Sequence, residues 1–128
     1  MTFHFGTSSW TAKGWLGSFY PEGTAQEDFL PLYAKRFSCV EADTTYYRVP
    51  AARVVENWAA RTPEGFQLAA KFPRGVVHGG RGPTPDRDTV LVIPKVEDEV
   101  DLFLRRMSLL GDKCGPLVLQ FPYFNRKV

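Results

Sequence analysis

The sequence predicts an α/β domain in which parallel strands alternate with helices. Short apolar segments of strand length alternate with segments whose apolar residues recur every three to four positions. The order is strand then helix, three times over, followed by a fourth strand, which implies parallel pairing through right-handed crossovers. The third strand, Phe66 to Lys71, is an almost continuous apolar run, as expected when both faces of a sheet are covered.

The first strand is predicted over Phe3 to Thr7, and a glycine- and aromatic-rich folded loop follows over residues 10–23. The first helix then has two candidate starts. Thr24 opens a capping-box sequence, but a helix starting there would be broken at Pro31 in its second turn. A start capped by Asp28 places Pro31 in the first turn, where its missing N–H costs little, and we favour it.

The second strand is predicted over Cys39 to Asp43. A second helix is predicted from about Ala51 to Arg61, with Val54, Val55 and Trp58 on its buried face. Trp15, Trp58 and Phe103 are interpreted as packing residues, and His4 is expected to pack within the first strand.

A long glycine- and proline-rich segment, Phe72 to Lys95, follows the third strand and is predicted to be a functional loop with a brief extra strand over residues 90–93. The third helix has acidic residues at its amino end and Arg105 and Arg106 at its carboxyl end, which complements the helix dipole. Its apolar positions are Val96, Val100, Phe103, Met107 and Leu110. The fourth strand is predicted over Leu117 to Phe121.

The length and composition indicate a single domain and do not point to a particular binding partner. The chain has 128 residues, 44% of them hydrophobic, and a net charge of +2, which is too weakly basic to select nucleic acid by charge alone. Its two cysteines form no disulfide framework, and the sequence shows no signal peptide or membrane span. A cytoplasmic location is the expectation, with no membrane partner.

Polar side chains cluster where the second strand should end, and this is the most informative feature of the sequence. Glu41 and Asp43 are two residues apart on the predicted strand, so they should point to the same side. Lys71 ends the next strand and should face them. We interpret Glu41 and Lys71 as candidates for proton transfer. The alternative is a structural ion pair that fixes the two strands.

Further candidates surround this pair. His78, in the long loop, is a candidate general acid or base, and with Arg74 and Arg81 it could also grip an anion. Asp43, Thr45, Tyr47, Arg48 and Gln120 are expected to orient a substrate. Trp10, Tyr20, Tyr46 and Tyr47 offer faces for stacking on a base or sugar, although aromatic residues serve equally well as core filler.

Several segments together resemble the YecE-like family, the domain-of-unknown-function family numbered 72. They include Gly6-Thr7-Ser8-Ser9-Trp10, Phe19-Tyr20-Pro21, Glu41 to Arg48, and Leu119-Gln120-Phe121-Pro122. The resemblance implies a TIM-type (β/α) barrel with polar residues at the carboxyl ends of its strands. Asp43 stands where the family pattern usually has Asn.

A TIM barrel of eight units needs about 250 residues, so the chain is expected to form only the first half, with about four parallel strands and three helices in a single partial domain, 1–128. A truncated piece of a longer protein is the favoured interpretation, and a homodimer of half barrels is the alternative.

The leading functional hypothesis is an enzyme acting on a small polar or phosphorylated ligand, with hydrolase or phosphodiester chemistry ranked first. A non-catalytic module that binds a ligand or single-stranded nucleic acid is the alternative, and a pseudo-enzyme scaffold is a third. The sequence has no nucleotide-cofactor motif and no zinc-type Cys/His set. A divalent metal held by Glu41 and Asp43 stays open but is not indicated.

Overall fold

Three parallel strands form the sheet in the computed structural model, which describes residues 1–80 and 84–124. The strands are β1 (Cys39–Ala42), β2 (Gln67–Lys71) and β3 (Cys114–Val118), and their spatial order follows their order in the chain. Both pairings are parallel, so each connection must cross over the sheet. The predicted α/β class is confirmed.

Four α-helices lie within the described residues. They are α1 (Phe29–Tyr33), α2 (Ala52–Ala60), α3 (Arg74–His78) and α4 (Ile93–Ser108). Asp28 is the N-cap residue of α1 and Pro31 lies in its first turn, as predicted, but the Asp28 side chain makes no capping hydrogen bond. None of the helices described is long and apolar enough to cross a membrane.

One face of the sheet and the inner sides of the helices form the core. Val40, Ala42, Leu68 and Ala70 are buried, whereas their neighbours on each strand are only half-buried. Phe103 is fully buried, as predicted. In α2 the buried residues are Val55 and Trp58. Val54 is 36% exposed, contrary to prediction, because it lies one position off the stripe that Val55 and Trp58 define.

The predicted first strand is not formed. Residues 3–7 run beside β1, but pairing is limited to one parallel bridge between Ser8 and Glu41, with Thr7 accepting from the Glu41 N–H at 3.0 Å. Phe3 and Phe5 are each 71% exposed because no other element of the described chain covers them. The buried phenol of Tyr33 also holds the segment, because its oxygen accepts from the Thr7 N–H at 2.8 Å and donates to the carbonyl of Cys39.

His4 is exposed rather than packed, and its Nδ1 lies 3.1 Å from Ser38 Oγ. The ring has nothing to pack against because the predicted first strand is not formed.

The last strand begins three residues earlier than predicted. Gly115 lets the β3 backbone approach β2, since a Cβ there would lie 3.1 Å from the carbonyl oxygen of Leu68. The register shifts between Leu68 and Ala70, opposite Pro116, which has no N–H to give the ladder. Gln120 therefore lies past the end of β3 and is exposed.

The predicted brief strand over residues 90–93 is wrong. Val90 closes a turn by donating its N–H to the Asp86 carbonyl at 3.0 Å, and Ile93 is already the first residue of α4. A four-residue apolar run does not distinguish a strand from the start of a helix. Because α4 starts at Ile93, the acidic residues from Glu97 onward lie beyond its first turn.

Candidate functional site

The candidate site lies at the carboxyl ends of β1 and β2, on the sheet face that the helices leave open. Glu41 pairs with Ala69 in the parallel register, and Lys71 is two residues further along β2 on the same face. Lys71 Nζ lies 3.1 Å from Glu41 Oε1, with 22% of the lysine side chain and 28% of the glutamate side chain exposed. The structure therefore brings together the two residues on which the sequence hypothesis depends.

Thr45 holds the two strand ends together. It lies in the 3-10 turn Asp43–Tyr46 directly after β1 and is fully buried. Its Oγ1 lies 3.0 Å from the Ala42 carbonyl and 2.8 Å from the Lys71 carbonyl, and it accepts from the Lys71 N–H at 3.2 Å. These contacts occupy the hydroxyl that was expected to orient a substrate, so Thr45 acts on the site by fixing Lys71.

Replacing Thr45 by valine is expected to lower the free energy of unfolding by about 1–3 kcal/mol, because the part-buried N–H and carbonyl of Lys71 would lose their hydrogen bonds to the Thr45 hydroxyl. Urea unfolding measures the change. Thr44→Val, at the exposed neighbouring position, is the matched control. Equal stability of the two variants would show that the Thr45 hydroxyl does not fasten the strands.

His78 is the last residue of α3, a short helix that forms where the sequence predicted part of a long loop, and it is buried. Only 6% of the residue is exposed, and its Nε2 lies 3.2 Å from the hydroxyl of Tyr46. Tyr46 directly follows Thr45, so the imidazole is joined to the same 3-10 turn that fixes Lys71. Sequence reasoning placed Tyr46 among the stacking residues but gave no signal for this contact, because the two side chains are 32 residues apart.

Two buried side-chain atoms have no hydrogen-bond partner within the described residues: Glu41 Oε1 and His78 Nδ1. The Glu41 oxygen is at ion-pair distance from Lys71 Nζ, but the two groups are not aligned for a hydrogen bond. Buried polar atoms are nearly always paired, and an exception calls for an explanation such as a catalytic role. Both atoms belong to residues proposed from the sequence as acid–base groups.

A cleft of about 600 Å³ lies between the segment after the 3-10 turn, α3 and α4, and none of Glu41, Lys71 and His78 lines it. We call it the α3–α4 cleft. Its charged and aromatic lining comprises Tyr47, Arg48, Arg74, Lys95, Asp98 and Glu99. Three of these residues were expected from the sequence to bind substrate. The other three, on α4, were missed because exposed charges on a helix carry no sign of what they face.

The remaining predicted residues are not brought to the cleft. Tyr20 is fully buried, stacked on Phe29 at 4.4 Å, and donates its hydroxyl to the Trp10 carbonyl at 2.7 Å. Its ring is therefore unavailable for stacking on a ligand. Trp10 packs edge-to-face on Trp58 at 5.5 Å. Gln120, which was expected to orient a substrate, is exposed beyond the end of β3.

Asp43 is half-buried at the start of the 3-10 turn. Since β1 ends at Ala42, strand alternation no longer places the Asp43 side chain beside Glu41. Arg81, proposed as part of an anion-gripping element, lies outside the described residues. Within those residues, no group of three or more His, Cys, Asp or Glu side chains is arranged to hold a metal ion.

Both cysteines are free thiols on the sheet. Burial raises the pKa of Cys39 and the pKa of Cys114 above the ordinary thiol value. Each is therefore held in its weakly nucleophilic protonated form at neutral pH, and neither is a candidate nucleophile.

Comparison with known proteins places the chain in a family. Residues 4–127 match the family model described as "Protein of unknown function DUF72". The chain belongs to the DUF72 family. This match confirms the resemblance found in the sequence and covers nearly all of the chain.

Two curated DUF72-type relatives are similar in sequence. The UPF0759 protein YecE of Escherichia coli K12 is 34% identical over 93 residues, which cover 73% of this chain and 30% of YecE. The UPF0759 protein YunF of Bacillus subtilis 168 is 31% identical over 121 residues, which cover 93% of this chain and 39% of YunF. The DUF72 chain described here thus spans between about three tenths and two fifths of the length of these relatives.

Two solved DUF72 structures share the fold. A DUF72 family protein of Thermotoga maritima MSB8 superposes with a TM-score of 0.68 at 26% identity, covering 97% of this chain and 47% of that one. A DUF72 family protein of Enterococcus faecalis V583 superposes with a TM-score of 0.67 at 24% identity, covering 93% of this chain and 39% of that one. The family assignment establishes the fold but does not identify a reaction.

Proposed function

We propose that this chain is the first part of a TIM-type (β/α) barrel, as a single partial domain, 1–128. The sheet supports this proposal because its strands are parallel, neighbour one another in chain order and are covered by helices on one face. The other face carries the half-buried Cys39, Glu41, Gln67 and Lys71, as the interior of a barrel would. The exposed Phe3 and Phe5 would then pack against further barrel units, or against a second copy in a homodimer.

Within that scaffold we propose an acid–base enzyme, in a cytoplasmic setting, that acts on a small polar or phosphorylated substrate. The ion pair of Glu41 with Lys71 at the strand ends, 3.1 Å apart and partly exposed, carries this proposal. Groups that act on a substrate must be reachable from solution, and 28% of the Glu41 side chain and 22% of the Lys71 side chain are exposed. The location agrees, because ligands bind beyond the carboxyl ends of parallel strands.

The reaction class that best uses these groups is hydrolysis, with a phosphate ester as the first choice. Glu41 would accept a proton from water as its oxygen attacks the phosphorus atom. Lys71 would hold the negative charge that develops on the phosphoryl oxygens. Protonated His78 would give its proton to the leaving oxygen as the ester P–O bond breaks, and Tyr46 would fix the imidazole ring.

Hydrolysis of p-nitrophenyl phosphate and bis(p-nitrophenyl) phosphate tests the proposal. Glu41→Gln and Lys71→Met are each expected to lower kcat by roughly 100-fold or more, since each removes an acid–base or charge-stabilising group. Matched controls are Glu64→Gln and Lys35→Met, which remove the same charges at exposed positions before the amino ends of the strands. If the site variants lower only the melting temperature, the pair is structural and the proposal fails.

One observation favours the alternative of a non-catalytic ligand- or nucleic-acid-binding module. Tyr47 is 70% exposed and lines the cleft together with Arg48 and Arg74, so a stacking face lies beside two guanidinium groups. A single-stranded oligonucleotide bound in this way would show steep salt dependence, whereas a small substrate would not. Measurement of binding at two salt concentrations separates the two modes.

A further inference from the structure

Three basic side chains line the α3–α4 cleft without forming an ion pair within the described residues. Arg48 lies just after the 3-10 turn, Arg74 begins α3, and Lys95 lies in the first turn of α4. Asp98 and Glu99 line the same cleft. Nevertheless, within the described residues neither carboxylate comes within 4.0 Å of any of the three basic groups to form an ion pair.

The position of Glu99 helps to explain why the charges stay apart. Its carboxylate lies directly against the backbone of Gly75, in the space that a Cβ at that position would fill. The carboxylate is therefore held on α3 rather than extended toward the basic groups. The basic side of the cleft remains free to accept an anion.

We propose that the α3–α4 cleft binds the phosphate group of a small phosphorylated polyol. Guanidinium groups supply paired N–H donors that match phosphate oxygens, and a lysine adds a compact charge. The volume of about 600 Å³ exceeds what one phosphate needs and leaves room for the rest of a small ligand. This inference goes beyond the proposed function, because none of Glu41, Lys71 and His78 lines the cleft, so a phosphate bound there is held apart from the proposed reacting groups.

The two carboxylates define the rest of the ligand. Asp98 and Glu99 are acceptors for hydroxyl groups, and their charge repels a second phosphate. A molecule with one phosphate and several hydroxyls satisfies both sides of the cleft. A nucleic acid strand, which carries a phosphate at every residue, would place negative charge against α4.

Calorimetric titration with glycerol 1-phosphate, inorganic phosphate and glycerol tests the inference. The wild-type protein is expected to bind glycerol 1-phosphate most tightly, inorganic phosphate less tightly and glycerol not measurably. Arg74→Gln and Lys95→Gln should each weaken phosphate binding by roughly tenfold or more, because each removes a charged hydrogen bond. Arg36→Gln, an exposed arginine near the amino end of β1, should leave binding unchanged.

The variants also separate this inference from the catalytic proposal. Glu41→Gln should keep full affinity for glycerol 1-phosphate even where it abolishes turnover. A loss of binding in that variant would show that the phosphate binds at the Glu41–Lys71 pair and not in the cleft. Lys95 is exposed, so its replacement should not disturb folding, which the melting temperature checks. The inference is overturned if no saturable phosphate binding is found at millimolar concentration. It is equally overturned if an oligonucleotide displaces glycerol 1-phosphate and binds more tightly.

Discussion

Replacing Gly79 by alanine is expected to lower the free energy of unfolding by about 2–4 kcal/mol. Gly79 ends α3 in the left-handed conformation, with φ +80°. A Cβ there would also meet the Thr89 hydroxyl and would lie 2.6 Å from the Val90 nitrogen, which is a backbone atom of the turn that packs over α3. That turn is anchored where the Asp86 N–H donates to the His78 carbonyl at 2.9 Å.

Two other glycines distinguish the cost of backbone strain from the cost of steric contact. Gly23 has φ +80° but open space around it, so Gly23→Ala should cost only the conformational strain, about 1–2 kcal/mol. Gly80 has open space and no positive φ, so Gly80→Ala should be close to neutral. If Gly79→Ala costs no more than Gly23→Ala in urea unfolding, the turn over α3 does not depend on this contact.

The same variant tests whether the turn keeps His78 from solvent. Modification by diethyl pyrocarbonate should be slow at buried His78 and fast at exposed His4 in the wild-type protein. In Gly79→Ala the rate at His78 should rise while the rate at His4 stays constant. An unchanged rate at His78 would mean that other contacts bury the ring.

Raising the pH from 10 to 12 is expected to destabilise the protein through Tyr20. Burial, with a smaller contribution from the neighbouring phenol of Tyr33, raises the pKa of Tyr20 to about 12, against 10.0 for an ordinary tyrosine. The unfolded chain therefore releases this proton first. The raised pKa of Tyr20 therefore contributes about 2–3 kcal/mol to the free energy of unfolding. This contribution is complete below pH 10 and is lost as the pH rises through 12.

Tyr20→Phe isolates this effect from the other groups that titrate in alkaline solution. At pH 7 the variant should be less stable by about 1 kcal/mol, because the Trp10 carbonyl loses the donor at 2.7 Å. Near pH 12 the variant should instead be the more stable protein, so the two stability curves should cross. Parallel curves from pH 8 to 12 would contradict a raised pKa at Tyr20.

The strand-end cluster could be predicted because it depends on two simple periodicities. Alternation along a strand puts Glu41 and Lys71 on one face, and parallel pairing brings the ends of neighbouring strands together. Both rules stop applying where the strands stop. Asp43 lies past the end of β1, so the prediction that its side chain shares the face of Glu41 was not supported, and Gln120 lies past the end of β3.

Contacts between distant loops could not be predicted in the same way. The pairing of Tyr46 with His78 depends on how the turn after β1 meets α3, which no local pattern encodes. Lys95, Asp98 and Glu99 looked like an ordinary solvated helix face until α3 was placed beside them. The prediction of the first strand was wrong for a related reason, because no other element of the described chain covers the exposed Phe3 and Phe5.

The edge-to-face contact of Trp10 with Trp58 gives this protein an internal optical reporter. The two indole rings are 5.5 Å apart and nearly perpendicular at 88°, a geometry in which their electronic transitions couple. One ring belongs to the loop that precedes α1 and the other to α2, so their circular dichroism signal depends on how that loop is seated. A ligand that changes the position of this loop would change the circular dichroism signal, so its binding could be followed without an added label.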